Sequence, residues 1–303
     1  MDLAIPTLLV ASAIAFAAPL IFAAMGELIS EKAGVINIQL DGMMLAGAFT
    51  GTWAALASGS LLVGFVGAAA GGAAVAAIHG TLCLGLKADQ VVSGVVLNIL
   101  ILGLTTFGIG AVFASDMGNA APTLKPLPIP LLSDIPVIGR ALFTQTPTVY
   151  LALLTVPAVW WLINRTTVGL ALQAAGEAPG SARSMGIRVG RLRWAALIAC
   201  GALAGIGGGQ LVLAGLGTFT QNVTAGRGFI ALAAVVFGRW RPVGALVAVL
   251  LFTTVEAVQV RAQVLGIELP YQFLVMAPYV ATLVALTLFT GRSRPPRALG
   301  SND

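Results

Sequence analysis

The residues able to do chemistry in this chain are few, and most of them sit inside or beside apolar runs. Between Gly26 and Gly42 the sequence reads GELISEKAGVINIQLDG, which places Glu27, Glu31, Lys32, Asn37, Gln39 and Asp41 among Val35, Ile36, Ile38 and Leu40. Further along, Asn98, Gln210, Glu256 and Gln259 stand in apolar surroundings. Amides offer donors and acceptors without net charge, which suits a neutral polar solute, and an ionisable group at membrane depth is a functional candidate. The pattern does not suit a catalytic centre: there is one histidine, His79, no cluster of metal-ligating side chains and no nucleophile set beside a base. Cys83 and Cys200 lie apart in apolar segments without a CxxC spacing, and are expected to be buried small hydrophobes.

The elements that must position these residues are transmembrane helices. Of the 303 residues 58% are hydrophobic and 9% charged, with a mean hydropathy of +0.98, whereas a soluble domain carries about 25% charged residues. A helix needs roughly 20 apolar residues to cross the hydrocarbon core. Runs near 3–25, 43–59, 61–79, 91–114, 148–163, 194–215, 242–260 and 273–290 meet or approach that length. A further run, Phe229 to Gly238, covers only ~15 Å as a helix. The first run has no basic leader and is too long for a signal peptide, so it reads as a retained helix. The expectation is an all-α integral membrane protein, one polytopic bundle over residues 1–303 of about 8–9 spans, with one or two broken or short membrane segments. Glycines four residues apart, as in Gly47/Gly51, Gly67/Gly71, Gly201/Gly205 and Gly205/Gly209, predict close helix contacts.

If the short run completes a crossing, twelve of the 16 Lys and Arg residues fall on one side and only Lys125, Arg140, Arg227 and Arg261 on the other. The Arg-rich side is then cytoplasmic, with the amino terminus outside and the carboxyl terminus in the cytoplasm. The net charge of +5 is thereby read as topology and not as a nucleic-acid surface. The tail GRSRPPRALGSND reads as a solvated stop signal.

Three stretches depart from plain spans and connectors. The alternation in VINIQLD favours extended backbone between the breaks Gly34 and Gly42, with Asp41 as N-cap of a helix starting near Met43. Either this is a cytoplasmic turn, or it is a broken membrane segment in which Asn37, Gln39 and Asp41 line a solute pathway. Asn98, Gln210 and Glu256 are further pathway candidates, although Glu256 lies close enough to a helix end to be simply exposed. A second polar, glycine-containing entry, NVTAGRGF, precedes the short run and suggests another broken element over Asn222 to Gly238. The segment 164–193 is longer than a connector needs. It offers a helix through VGLALQAAGE, a break at Pro179 and Gly180, and a short helix SARSMGI. The loop 115–146 is rich in proline and expected to be extended with at most a short helix.

The stretch GLALQAAGEAPGSARSMGIRVGRLRWAALIACGALAGIGGG resembles the coupling-loop region of bacterial ABC-importer permeases that serve branched-chain amino acids, ribose-type sugars and nucleosides. More narrowly, EKAGVINIQLDGMMLAGAFTG, KADQVVSGVVLNILILG, GRGFIALAAVVFGRWRPVGALVAVLLF and YQFLVMAPYVATLVALTLFTGR resemble the shorter permease of purine-nucleoside (guanosine) importers. The resemblance implies a cytosolic ABC ATPase partner, a second permease subunit, an extracytoplasmic lipoprotein or periplasmic binding protein, and a nucleoside substrate. It also implies that the segment 164–193 is a cytoplasmic coupling loop in which Glu177, Ala178, Pro179, Gly186 and Ile187 engage the ATPase; Ala178 stands where the family commonly has an amide or histidine. No cofactor is implied in this chain, ATP and Mg belonging to the partner. In agreement, no GxxxxGK[ST] occurs and none of the lysines Lys32, Lys87 and Lys125 follows a glycine. A permease for a simple sugar or branched-chain amino acid is the nearest alternative. A stand-alone ion-coupled transporter would need embedded carboxylates, for which Glu256 is the candidate.

Overall fold

The computed structural model describes residues 4–113, 120–130, 138–264, 276, 280 and 295–301, and every regular element among them is helical. Long apolar runs leave the backbone no partner other than its own turns, and the helix satisfies those groups internally. The order is α1 (Ala4–Lys32), α2 (Leu40–Ser58), α3 (Leu61–Gly80), α4 (Gln90–Val112), α5 (Ile138–Leu142), α6 (Pro147–Arg165), α7 (Thr167–Glu177), α8 (Pro179–Ser184), α9 (Val189–Leu211), α10 (Arg227–Phe237) and α11 (Pro242–Val264). Single π-helical turns extend α3 over Thr81–Gly85 and α9 over Val212–Leu216.

Among the described residues, six segments are long and apolar enough to cross a membrane: Thr7–Lys32, Leu61–Gly85, Gln90–Val112, Pro147–Arg165, Val189–Leu216 and Pro242–Ala262. The run expected at 43–59 is α2, which starts at residues already buried in the bundle, and α10 rises only ~17 Å. The run at 273–290 lies outside the described residues, apart from Met276 and Val280. Of the loop 115–146, the described parts are irregular apart from the short α5, with Ala121 N–H donating to Gly217 O (2.8 Å) and Leu127 N–H to Gln145 O (2.9 Å).

Helix α1 is the axis of the bundle. Every residue from Ala17 to Glu31 is buried, as expected for a helix that is apolar on all sides and surrounded by α6, α9, α10 and α11. Beside it α2, α3 and α9 interlock through small residues. A Cβ added to Gly205 would run into Ala68 O and Gly72 Cα, and one added to Gly72 into Gly201 O, so these backbones touch with no side chain between them.

The tail is not a free solvated extension. Ala298 N–H donates to Gly176 O (2.8 Å), Gly300 N–H to Gly34 O (3.1 Å), and Arg193 Nη1 to Ser301 O (3.0 Å). Gly176 lies in the last turn of α7 and Gly34 just past α1, where carbonyls lack intrahelical partners. The tail supplies the missing donors, and Ala298 is buried with it.

The interlock yields a direct test. Gly205→Leu is expected to abolish monodisperse protein in detergent, because backbone must move to admit the side chain, whereas Gly103→Leu, where an added Cβ meets nothing, is expected to purify and melt as the wild type does. Size-exclusion profiles and melting curves compare the two.

Candidate functional site

Two helices begin inside the bundle, and each is capped from elsewhere in the chain. After α1 the backbone closes a turn in which Val35 N–H donates to Ser30 O (3.1 Å) and Gly34 takes a left-handed φ of 92°. The expected extended run 35–41 is cut short, and α2 starts at Leu40 instead of near Met43. Side chains of distant elements hold the few irregular residues. Ile36 N–H donates to Gln90 Oε1 (2.9 Å), Asn37 N–H and Nδ2 donate to Glu27 (3.2 and 3.0 Å), and His79 places Nε2 on Ile36 O (3.2 Å) and Nδ1 on Ser93 Oγ (3.1 Å).

Asp41 does not cap its own helix. Its carboxylate accepts from Gly228 N–H (2.9 Å) and Thr224 Oγ1 (3.0 Å), so it caps α10, across 187 residues of sequence. The start of α2 is held in turn by Asn98, whose Oδ1 accepts from Gly42 N–H (2.7 Å) while Nδ2 donates to Ile38 O (2.7 Å). The residues before α10 coil tightly, with Asn222, Ala225 and Gly226 all at positive φ. Arg227, on its first turn, pairs with Glu256 of α11 at 2.5 Å.

Between these two helix starts and α4 lies a cavity of about 420 Å³, bounded by Asp41, Asn98, Asn222, Gly226 and Phe229 among others. The amino ends of α2 and α10 both point at it, and such ends carry partial positive charge. It combines amide and carboxylate groups with an aromatic face, within the size range of small-molecule sites.

Of the residues the sequence marked, the structure brings Asp41 and Asn98 to this cavity. Asn37 and Gln39 are fully buried behind it, Asn37 on Glu27 and Gln39 Nε2 on Asn37 Oδ1 (3.2 Å). Gln210 is buried at the end of α9, away from the cavity lining, and Glu256 is turned to Arg227. The sequence reading passed over Asn222, Thr224 and Phe229 as site residues, and the anchoring role of Glu31, whose Oε2 accepts from Trp240 Nε1 (2.5 Å). NVTAGRGF was visible as a polar entry; its meeting with Asp41 was not.

At the Arg-rich end, Thr166 Oγ1 accepts from Gly169 N–H (3.0 Å) and starts α7. Glu177 ends it, the lone residue Ala178 turns the chain, and Pro179 opens α8. The expected break at Pro179 and Gly180 therefore moves one residue earlier, because the fixed φ of proline suits a first helical turn. Helix α8 stops at Ser184, also earlier than expected. Gly186 takes φ 83°, its N–H donates to Arg183 O (2.9 Å), and Ile187 N–H donates to Ala182 O (3.0 Å). The Met-Gly-Ile stretch is thus a left-handed helix stop, with Ile187 tucked against Ala182 and Val189. Glu177, Ala178, Met185 and Gly186 are exposed, and Glu177 lies within electrostatic reach of Lys32.

A bundle of apolar helices with broken segments around a polar cavity and an exposed helical elbow defines a membrane transport subunit. The chain belongs to the family described as branched-chain amino acid transport system / permease component, whose model matches residues 9–289. It is 36% identical to the nucleoside ABC transporter permease NupC of Lactococcus lactis, over 97% of this chain and 96% of that protein. It is 37% identical to the guanosine ABC transporter permease NupQ of Bacillus subtilis, over 97% and 95%. It is also 44% identical to the putative glucose ABC transporter permease TsgC13 of Haloferax volcanii, over 82% and 76%. No solved structure matches.

The cross-capping predicts a stability effect. Asp41→Ala leaves two donors without their acceptor and is expected to destabilise the protein by about 1–3 kcal/mol, with Asp41→Asn intermediate because one amide oxygen still accepts. Melting curves in detergent measure both.

Proposed function

We propose that this chain is the permease subunit of an ATP-binding-cassette importer that carries nucleosides, a purine nucleoside such as guanosine being the best fit. The observation that carries the reading is the cavity between the two cross-capped helix starts. Asn98, Asn222 and Asp41 offer hydrogen bonds to a base edge or ribose hydroxyls, and Phe229 offers a face for a base to lie on. Relatives named for nucleoside and guanosine transport, aligned over almost their whole length, support it.

The cavity is walled on one side only in part, by Val95, Ile99 and Phe229, which are 45%, 67% and 48% exposed. The exposed apolar face of α4 continues that side through Val92, Val96 and Phe107. A second permease subunit set against this side would complete the pathway. Towards the other end of α2, Phe49 packs edge-on against Phe113 and Phe219, with centroids 5.1 and 5.3 Å away. At ~12 Å along α2 from Asp41, this trio stands on the extracytoplasmic side of the cavity, beyond its lining.

The Arg-rich end is the cytoplasmic one, in a bundle of 8–9 spans counted with α2, α10 and the run at 273–290. The elbow of α7 and α8 then faces the ATPase, where ATP and Mg are bound, and Glu177, Ala178, Pro179, Gly186 and Ile187 form the docking surface. The loop 115–146 faces the binding protein that delivers the solute. Motion of the ATPase pair, passed through α7 to the Gly176–Gly34 contact, would alternate access to the cavity.

A sugar cargo is a second reading, favoured by the relative named for glucose. Uptake of labelled guanosine into cells carrying the whole system separates the two. Guanosine uptake resisted by excess nucleosides and untouched by excess glucose is expected; competition by glucose alone would replace the nucleoside reading. Asn98→Leu should alter the competition profile. Glu177→Lys and Gly186→Val, the second forced into a left-handed backbone at about 1–2 kcal/mol, should insert normally and lose at least about nine-tenths of uptake, roughly 1.4 kcal/mol in rate. Normal uptake in both would remove the docking role from the elbow.

A further inference from the structure

The central cavity faces one unbalanced charge. Among its described lining residues Asp41 alone is ionisable, set beside Asn98, Asn222 and Phe229, and no lysine or arginine joins them. Arg227, on the first turn of α10, lies within electrostatic reach of Asp41, but its Nη2 is paired with Glu256 Oε1 of α11 at 2.5 Å. One cation thus stands against two carboxylates, and the carboxylate left over is the one that borders the cavity.

The backbone donors that could greet an anion are already engaged. The amino end of a helix attracts anions through its unpaired N–H groups and its partial positive charge. At the start of α10, Arg227 N–H donates to Thr224 O (2.9 Å), Gly228 N–H to Asp41 Oδ1 (2.9 Å) and Phe229 N–H to Gly226 O (3.1 Å). At the start of α2, Leu40 N–H donates to Asn37 O (3.1 Å), Gly42 N–H to Asn98 Oδ1 (2.7 Å) and Met43 N–H to Gln39 O (2.9 Å). The amide of Asp41 itself lies against Gly228, where an added Cβ would run into Asp41 N and Cα. This close approach seats the carboxylate on the end of α10, in the place where a bound anion would otherwise lie. Asp41 is a built-in anion.

Its field is poorly screened. Asp41 is 9% exposed, and a cavity of about 420 Å³ keeps the charge of any occupant within a few ångströms of it. A neutral solute meets acceptors and amides there; a phosphate meets a like charge, no cation and no row of open N–H groups. We propose that Asp41 is a charge filter on the pathway, which admits neutral solutes such as nucleosides and turns away their phosphate esters. This role rests on the reading of the cavity as the cargo's site, and is independent of which neutral cargo fills it. It also gives Asp41 a second task beside the capping of α10, since an asparagine would keep an acceptor for the cap and lose the charge.

The test uses the full chain purified with its partner subunits in neutral detergent. Equilibrium dialysis follows labelled guanosine and labelled guanosine 5′-monophosphate, and counts only what excess unlabelled guanosine displaces, so that ester held by the ATPase is left out. The wild type is expected to bind guanosine at least about tenfold more tightly than the ester, and Asp41→Asn to narrow that gap by at least about tenfold. Asp41→Glu, which keeps the charge, should keep the gap. If Asp41→Asn is not monodisperse, Asn222→Lys places a cation in the same lining without touching the caps and should narrow the gap instead. Binding of glucose and not of guanosine removes the nucleoside reading, and the filter is then measured on glucose against glucose 6-phosphate. A gap unchanged in the folded variant, a wild type that takes the ester as well as the neutral solute, or a wild type that binds neither neutral solute overturns the proposal.

Discussion

The hydrogen bonds from Gly228 N–H and Thr224 Oγ1 to Asp41 are the constraint on which the centre of the molecule rests. A helix that begins inside an apolar bundle exposes amide N–H groups that lipid cannot satisfy, and unsatisfied polar groups at that depth are costly. The chain answers by exchange. Asp41, at the start of α2, satisfies α10, and Asn98, in the middle of α4, satisfies α2. Either half-helix alone would be a defect. Together they leave two amino ends facing one hollow, which is the arrangement a neutral polar solute can use.

The rest of the fold serves to keep those two starts in register. Helix α1, buried all round, carries Glu27 and Glu31, one gripping Asn37 before α2 and the other gripping Trp240 after α10. The two broken elements are therefore tied to one rod at points about one helical turn apart. On the opposite side the glycine-lined contacts among α2, α3 and α9 leave no side chains to slide, so α2 is set by backbone against backbone. Buried carboxylates are expensive unless hydrogen-bonded, and here they mark the joints.

Much of this was legible in the residues, and the part that was not has a physical cause. Apolar run lengths located α1, α3, α4, α6, α9 and α11, and glycine spacing located the tight packing, because both are local properties of the chain. His79 and the two cysteines fell where an apolar setting puts them. Local reasoning erred wherever a distant partner decided the outcome. The alternation of VINIQLD argued for extended backbone, but Glu27, Gln90 and His79 fold those residues into a turn. Asp41 has the residue type of an N-cap and performs that role for a helix 187 residues away. Residues Asn222 and Phe229 reach the cavity through a coil of left-handed backbone, which side-chain patterning does not encode. Proline 179 misled by one position because it can either end a helix or begin one. The tail gave no sign of its seat, since the bonds it makes are to backbone carbonyls and leave no trace in side-chain type.

That seat also orders events in time. Gly34 is synthesised long before Gly300, so the donor that satisfies its carbonyl does not yet exist when the first helix is made. Chains fold largely as they emerge, the early segments first. The exit of the first helix and the end of α7 must therefore wait, held by water or by the interfacial region, until Ala298 and Gly300 arrive to close them. The seating of Ala298 and Gly300 is in this sense a late latch, which a chain truncated before Ala298 would lack.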